Sequence, residues 1–154
     1  MIGQIRVDDL THPKVHALLA EHLAAMHANS PLCGVHALEL SALRAPEVTL
    51  WTAWDGDDLL GCGALTELDP THGEVKSMRT AAGRLRRGVA RAILAVILET
   101  ARERGYRRVS LETGSTEAFE PALRLYQSFG FSYCGPFGQY RENAFSRFMT
   151  KSPP

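Results

Sequence analysis

The sequence predicts an α/β protein on a mixed sheet of about seven strands flanked by helices. Three observations carry this expectation. Strand patterns follow one another over residues 47–80. From residue 73 onward the pattern becomes strand-helix-strand-helix-strand. Between two of those strands lies the clearest helix of the chain, with Val89, Ala92, Ile93, Val96, Ile97 and Thr100 at i, i+3, i+4 spacing. The 154 residues suffice for one domain with a sizeable core, expected over residues 1–151, with 152–154 as a disordered tail.

Each element has a local reason. Residues 2–7, IGQIRV, read as a short first strand. A helix is expected over 11–28, with Pro13 in its first turn and Val15, Leu18, Leu19, Leu23 and Met26 along one face. NSPLCG breaks it, and residues 35–43 read as a second short helix that RAP stops. EVTLWTAW and LLGCGALTEL form a hairpin across the turn DGDD, with Gly61 and Gly63 marking close packing or a bulge. GEVKSMRT is a strand with poor alternation. Gly105 ends the central helix, YRRVSLET is the next strand, and AFEPALRLYQSFG is a helix closed by Gly130. FSYCG and AFSRFMTK are the last strands.

Composition excludes several classes. Lys plus Arg equals Asp plus Glu at 17 each, which argues against a nucleic-acid backbone as main partner. Cys33, Cys62 and Cys134 show no CxxC spacing, so reduced thiols and a cytoplasmic protein are expected. The apolar run Ala92–Leu98 is far below the roughly 18 residues of a membrane span. His12, His16, His22 and His27 lack HExxH spacing, so no metal is expected and they read as solvated or packed.

Against that neutral background, residues 79–99 (RTAAGRLRRGVARAILAVILE) crowd five arginines around a helix start. The first N–H groups of a helix have no internal partner and carry the positive end of its dipole. A glycine there, with Arg84, Arg86, Arg87 and Arg91 nearby, suits a compact anion such as a pyrophosphate. The stretch is neither GxxxxGK nor GxGxxG, which disfavours a nucleoside triphosphatase and a Rossmann dehydrogenase.

LRRGVARAIL after VKSMRT resembles the pyrophosphate motif R/Q-x-x-G-x-G/A of the Gcn5-related N-acetyltransferases (GNAT). PALRLYQSFGF resembles the A-x-x-L-Y-x-x-x-G-F helix and strand of the same family. HGEVKSMRT, SLETG and CGPFGQYR look like a subgroup of small bacterial members, and the likeness covers nearly the whole chain. Two positions depart from the pattern. Leu85 stands at the first motif position, and Phe119 stands where many members carry an asparagine.

The resemblance implies a mostly antiparallel sheet with strands 73–80 and 107–112 splayed around the cosubstrate acetyl-CoA. It implies backbone contacts to the pantetheine arm from Met78, Arg79 and Thr80, and a pyrophosphate held by Leu85, Arg86, Arg87, Gly88, Val89, Ala90 and Arg91. Glu74 is the implied base and Tyr126 the implied acid, with His72 and Glu112 as alternative bases. The implied acceptor is a small-molecule or peptide amine, shaped by the first two helices, residues 29–36 and GPFGQYREN. Arg79, His36, Tyr140 and Arg141 are candidates for an anionic group on it. Neither nucleic acid nor membrane is an expected partner. Exposed edge strands need cover, which a homodimer would give. Two other classes stand beside this one: a non-catalytic acyl-CoA-binding module, and a basic-loop nucleic-acid binder.

Overall fold

Alternating β-branched and aromatic residues build one seven-stranded sheet in the computed structural model, which describes residues 2–29, 40–83 and 88–154. The elements run β1 (Gln4–Val7), α1 (Pro13–Asn29), α2 (Leu40–Leu43), β2 (Val48–Asp55), β3 (Asp58–Asp69), β4 (His72–Thr80), α3 (Val89–Glu103), β5 (Arg108–Gly114), α4 (Glu120–Ser128), β6 (Ser132–Cys134) and β7 (Ser146–Lys151). Of the second helix expected over 35–43, only α2 falls within the described residues. Strand order is β1-β2-β3-β4-β5-β7-β6. β4 and β5 pair in parallel, and the other neighbours are antiparallel. The parallel pair follows from α3, which crosses from the end of one strand to the start of the other.

Helices cover both faces. The stripe Val89, Ile93, Leu94, Ile97, Leu98 and Ala101 buries α3 against one face, where Tyr126 and Phe131 join the same core. On the other face α1 packs Val15, Leu18 and Leu19 against Leu50, Trp54, Cys62 and Ala64. Pro13 opens α1 as expected, and His12 caps it by accepting the Lys14 N–H at its Nδ1 (3.1 Å). Position 22, not Leu23, completes the buried stripe of α1, because Leu18 and Leu19 are its i−4 and i−3 neighbours.

The poor alternation of residues 73–80 has a physical cause. Cys62 pairs with Arg79 and Ala64 with Lys76, so Ser77 and Met78 together oppose Gly63. Ser77 takes φ 55° at this bulge, and the Cys62 thiol donates to its carbonyl (3.3 Å). Residues 152–154 are tied down rather than forming a loose tail. The Ser152 hydroxyl donates to the Arg107 carbonyl (3.0 Å), and Arg102 donates to the Pro154 carbonyl (2.9 Å).

Gly63 shows the close packing expected of it. A Cβ there would lie 2.5 Å from Met78 Sδ and 2.7 Å from Ile93 Cγ2. Gly63→Ala is therefore expected to lower stability by about 1–3 kcal/mol in urea denaturation, although alanine ordinarily favours a folded backbone over glycine.

Candidate active site

β4 and β5 run side by side only from His72↔Arg108 to Val75↔Leu111. Both strands continue past that point without pairing, β4 to Thr80 and β5 to Gly114. The fork opens a cavity of about 510 Å³, lined by Glu74 to Thr80 of β4, Glu112 to Gly114 of β5, α1 and the start of α4. The β4 edge facing the gap has lost its β5 ladder, so its backbone polar groups on that side are open to a ligand.

Several residues singled out in the sequence meet here. Met78, Arg79 and Thr80 line the cavity beyond the fork, and Glu74 and Tyr126 line it as well. Tyr126 is held firmly. After α4 the chain turns at Gly130 (φ 95°), the Phe131 N–H donates to the Tyr126 carbonyl (3.1 Å), and the Gly130 N–H donates to that of Gln127 (3.0 Å). This Schellman closure folds the Phe131 ring edge-on against Tyr126, with centroids 5.7 Å apart. Burial holds the Tyr126 phenol well above its ordinary value, so it keeps its proton through the neutral range.

Glu74 is buried and does not stand alone. Its Oε2 accepts from the Tyr140 hydroxyl (2.5 Å) and lies 3.3 Å from Lys76 Nζ, which also donates to the Tyr140 oxygen (2.6 Å). Burial and the adjoining Glu74 charge raise the Tyr140 phenol far above its usual range, making it a lasting donor. A second hollow, about 750 Å³ and lined by Leu68 and residues 138–143, shares Glu74 with the first. Tyr140 and Arg141, expected near the acceptor, belong to this hollow.

The alternative bases divide. Glu112 lines the cavity and accepts from the Ser146 hydroxyl (2.7 Å). His72 sits in the paired part of β4, bonded to Ser110 (2.7 Å) and beside Phe137, and is not in the cavity wall. Burial, reinforced by Arg108, holds its pKa below the usual value.

At the start of α3, Gly88 adopts φ 77° as N-cap, and Ala92 makes the first helical bond to its carbonyl (3.0 Å). The N–H groups of Val89, Ala90 and Arg91 thus precede the helical ladder. Among the described residues no atom lies within 4 Å of a Cβ placed on Gly88, so conformation rather than space calls for glycine. The Arg91 guanidinium is engaged elsewhere, bonded to Ser128 (2.9 Å) and stacked 5.0 Å from the Phe129 ring. Leu85, Arg86 and Arg87, like Arg84 and His36, lie outside the described residues. Phe119 packs edge-on against Phe145 (5.5 Å) and gives the cavity an apolar wall where an asparagine would have offered an amide.

Sequence reasoning missed Lys76, Ser77 and His22, all of which line the cavity. For His22 a signal existed, its place on the stripe of Leu18 and Leu19. Among the described residues no cluster of three metal-capable side chains occurs, and no helix is long and apolar enough to cross a membrane.

A sheet that forks after one parallel pair, with a glycine-capped helix leading away from the fork, defines the class. The chain belongs to the acetyltransferase (GNAT) family, whose pattern it matches over residues 15–131, and is an N-acetyltransferase. It is 58% identical over 147 residues to the uncharacterised N-acetyltransferase YsnE of Bacillus subtilis, covering 96% of this chain and 97% of that one. It is 50% identical over 146 residues to the uncharacterised N-acetyltransferase YedL of Escherichia coli, covering 95% and 92%. A GNAT family acetyltransferase of Elizabethkingia anophelis, solved with acetyl-CoA bound, shares the fold at a TM-score of 0.71 and 18% identity, with 97% of each chain covered.

Burial, with Arg79 adding to it, pushes the His22 pKa down from 6.5 to about 4. Between those values the unfolded chain holds more protons than the folded one. His22 therefore contributes stability above pH 6.5 that is lost as pH falls through 6.5 toward 4. The loss amounts to about 3 kcal/mol. His22→Leu is expected to flatten this part of the stability-pH curve measured by urea denaturation.

Proposed function

We propose that the protein moves the acetyl group of acetyl-CoA to a primary amine by direct attack in a ternary complex. The unpaired edge of β4 beyond Val75 carries this reading. That edge offers backbone groups of Met78, Arg79 and Thr80 to the pantetheine amides, and a backbone N–H near Met78 to the thioester oxygen as charge develops there. The pyrophosphate falls to the open N–H groups after Gly88, with Leu85, Arg86 and Arg87 preceding it. Arg91 serves through its backbone, since its side chain is held by α4.

An alkyl amine is mostly protonated at neutral pH, with a pKa of about 10. Glu74 takes its proton, directly or through a water. The hydrogen bonds of Glu74 converge on Oε2, which leaves Oε1 for that task. The amine nitrogen then bonds to the thioester carbon, the C–S bond breaks, Tyr126 gives its proton to the leaving sulfur, and the proton left on the new amide nitrogen returns to Tyr126 through solvent. Tyr126 lines the cavity and carries its proton at neutral pH, the state that donation to the sulfur requires.

Isothermal titration calorimetry is expected to show saturable binding of acetyl-CoA, with ATP and NAD as weaker controls. Gly88→Asp sets a carboxylate at the helix start and is expected to weaken acetyl-CoA at least about tenfold. No acetyl-CoA binding by folded protein would sink the assignment. Tyr126→Phe and Glu74→Gln are each expected to lower kcat by about 10²-fold or more while acetyl-CoA still binds. A non-catalytic acyl-CoA-binding module would show no such change.

A further inference from the structure

Among the described residues, three polar groups in the cavity wall have no hydrogen-bond partner: His22 Nδ1, Ser77 Oγ and Arg79 Nε. His22 is 7% exposed and Ser77 is 8% exposed. Among the described residues the Arg79 side chain has neither a hydrogen-bond nor an ion-pair partner. Leaving such groups unpaired costs about 1–3 kcal/mol each, and more for a charged one. Three of them in one cavity wall therefore call for a ligand that satisfies them.

Their placement says which ligand. Arg79 pairs with Cys62, whose side chain packs in the α1-side core, and cross-strand partners share a face. The Arg79 side chain thus leaves the sheet toward α1 and His22, while the N-terminus of α3 belongs to the opposite face. The cosubstrate phosphates are accounted for there, so Arg79 addresses something else. One guanidinium, one imidazole and one hydroxyl offer a single positive charge and a set of donors, which matches a planar monoanion better than a phosphate. Ala25 and Met26 of α1 line the space beside them and leave room for an apolar body.

We infer that Arg79, His22 and Ser77 form a carboxylate-recognising subsite, and that the acceptor carries a carboxylate as well as its amine, as a free amino acid does. The inference rests on the acetyltransferase reading for the amine but not for the anion. Arg79 and Ser77 flank Met78, and Glu74 lies further along the same strand. A carboxylate held at Arg79 therefore anchors the acceptor on the stretch of β4 that also holds the thioester.

Steady-state kinetics with free amino acids and the matching amino-acid amides test this. The acids are expected to exceed the amides by about 10- to 100-fold in kcat/KM. Arg79→Gln is expected to abolish that preference through KM, with Arg79→Lys restoring part of it. Equal use of acids and amides, or a preference that survives Arg79→Gln, overturns the subsite and leaves the transferase standing. Calorimetry with N-acetyl amino acids on the CoA-saturated protein gives a readout free of turnover. Saturable binding that Arg79→Gln removes, without transfer to any amine, upholds the subsite and overturns the proposed reaction. Neither binding nor transfer overturns both.

Discussion

The structure turns on one interruption in a hydrogen-bonded ladder. Two parallel strands pair for four residues each and then part. A central strand is normally satisfied on both edges, and unpaired backbone in a protein interior is costly. The cost is tolerated here because the gap is a cavity. The bulge at Ser77 supplies the divergence, since an extra residue bends a strand and increases its twist. Gly63 lets Met78 and α3 close over that bend from behind. The cavity follows from this local failure to pair.

The two faces of the sheet bring different groups to the opening. The α3 face is a dense apolar core that ends in a helix N-terminus. The α1 face brings His22 and Arg79 to the same opening. A strand carries side chains to both faces in alternation, and a bulge shifts that alternation by one. In a nine-residue strand, β4 therefore offers backbone at its edge, a carboxylate before the bulge and a guanidinium after it. The Lys76–Tyr140–Glu74 group keeps that carboxylate in place between two hollows, and a buried ion pair with a bridging phenol resists rearrangement.

What could be read from the sequence was what depends on neighbours along the chain. The stripe of α3, the hairpin of β2 and β3, and the glycine that closes α4 rest on short-range spacing and were visible. The motif around Gly88 was visible for the same reason, although Leu85, Arg86 and Arg87 fall outside the described residues. The bond from Tyr140 to Glu74 spans 66 residues, and no periodicity announces such a contact. The bulge appeared only as poor alternation in residues 73–80. His22 was readable in principle, because Leu18 and Leu19 point it inward. A histidine on an apolar stripe, however, does not reveal whether its open nitrogen faces a neighbour or a cavity. The Arg91 side chain was read with the anion site because it is near in sequence; its bond to Ser128 and its stacking on Phe129, at the end of another helix, could not be read that way.

The turn at Gly130 has a consequence for whatever enters the cavity. Phe131 is clamped to Tyr126 by a backbone bond on one side and a ring contact on the other. Burial and the Phe131 ring restrict the Tyr126 ring when the chain folds, so little side-chain entropy is left to lose when a molecule arrives. A hydroxyl on such a ring behaves as part of the scaffold rather than as a side chain that must search for its position.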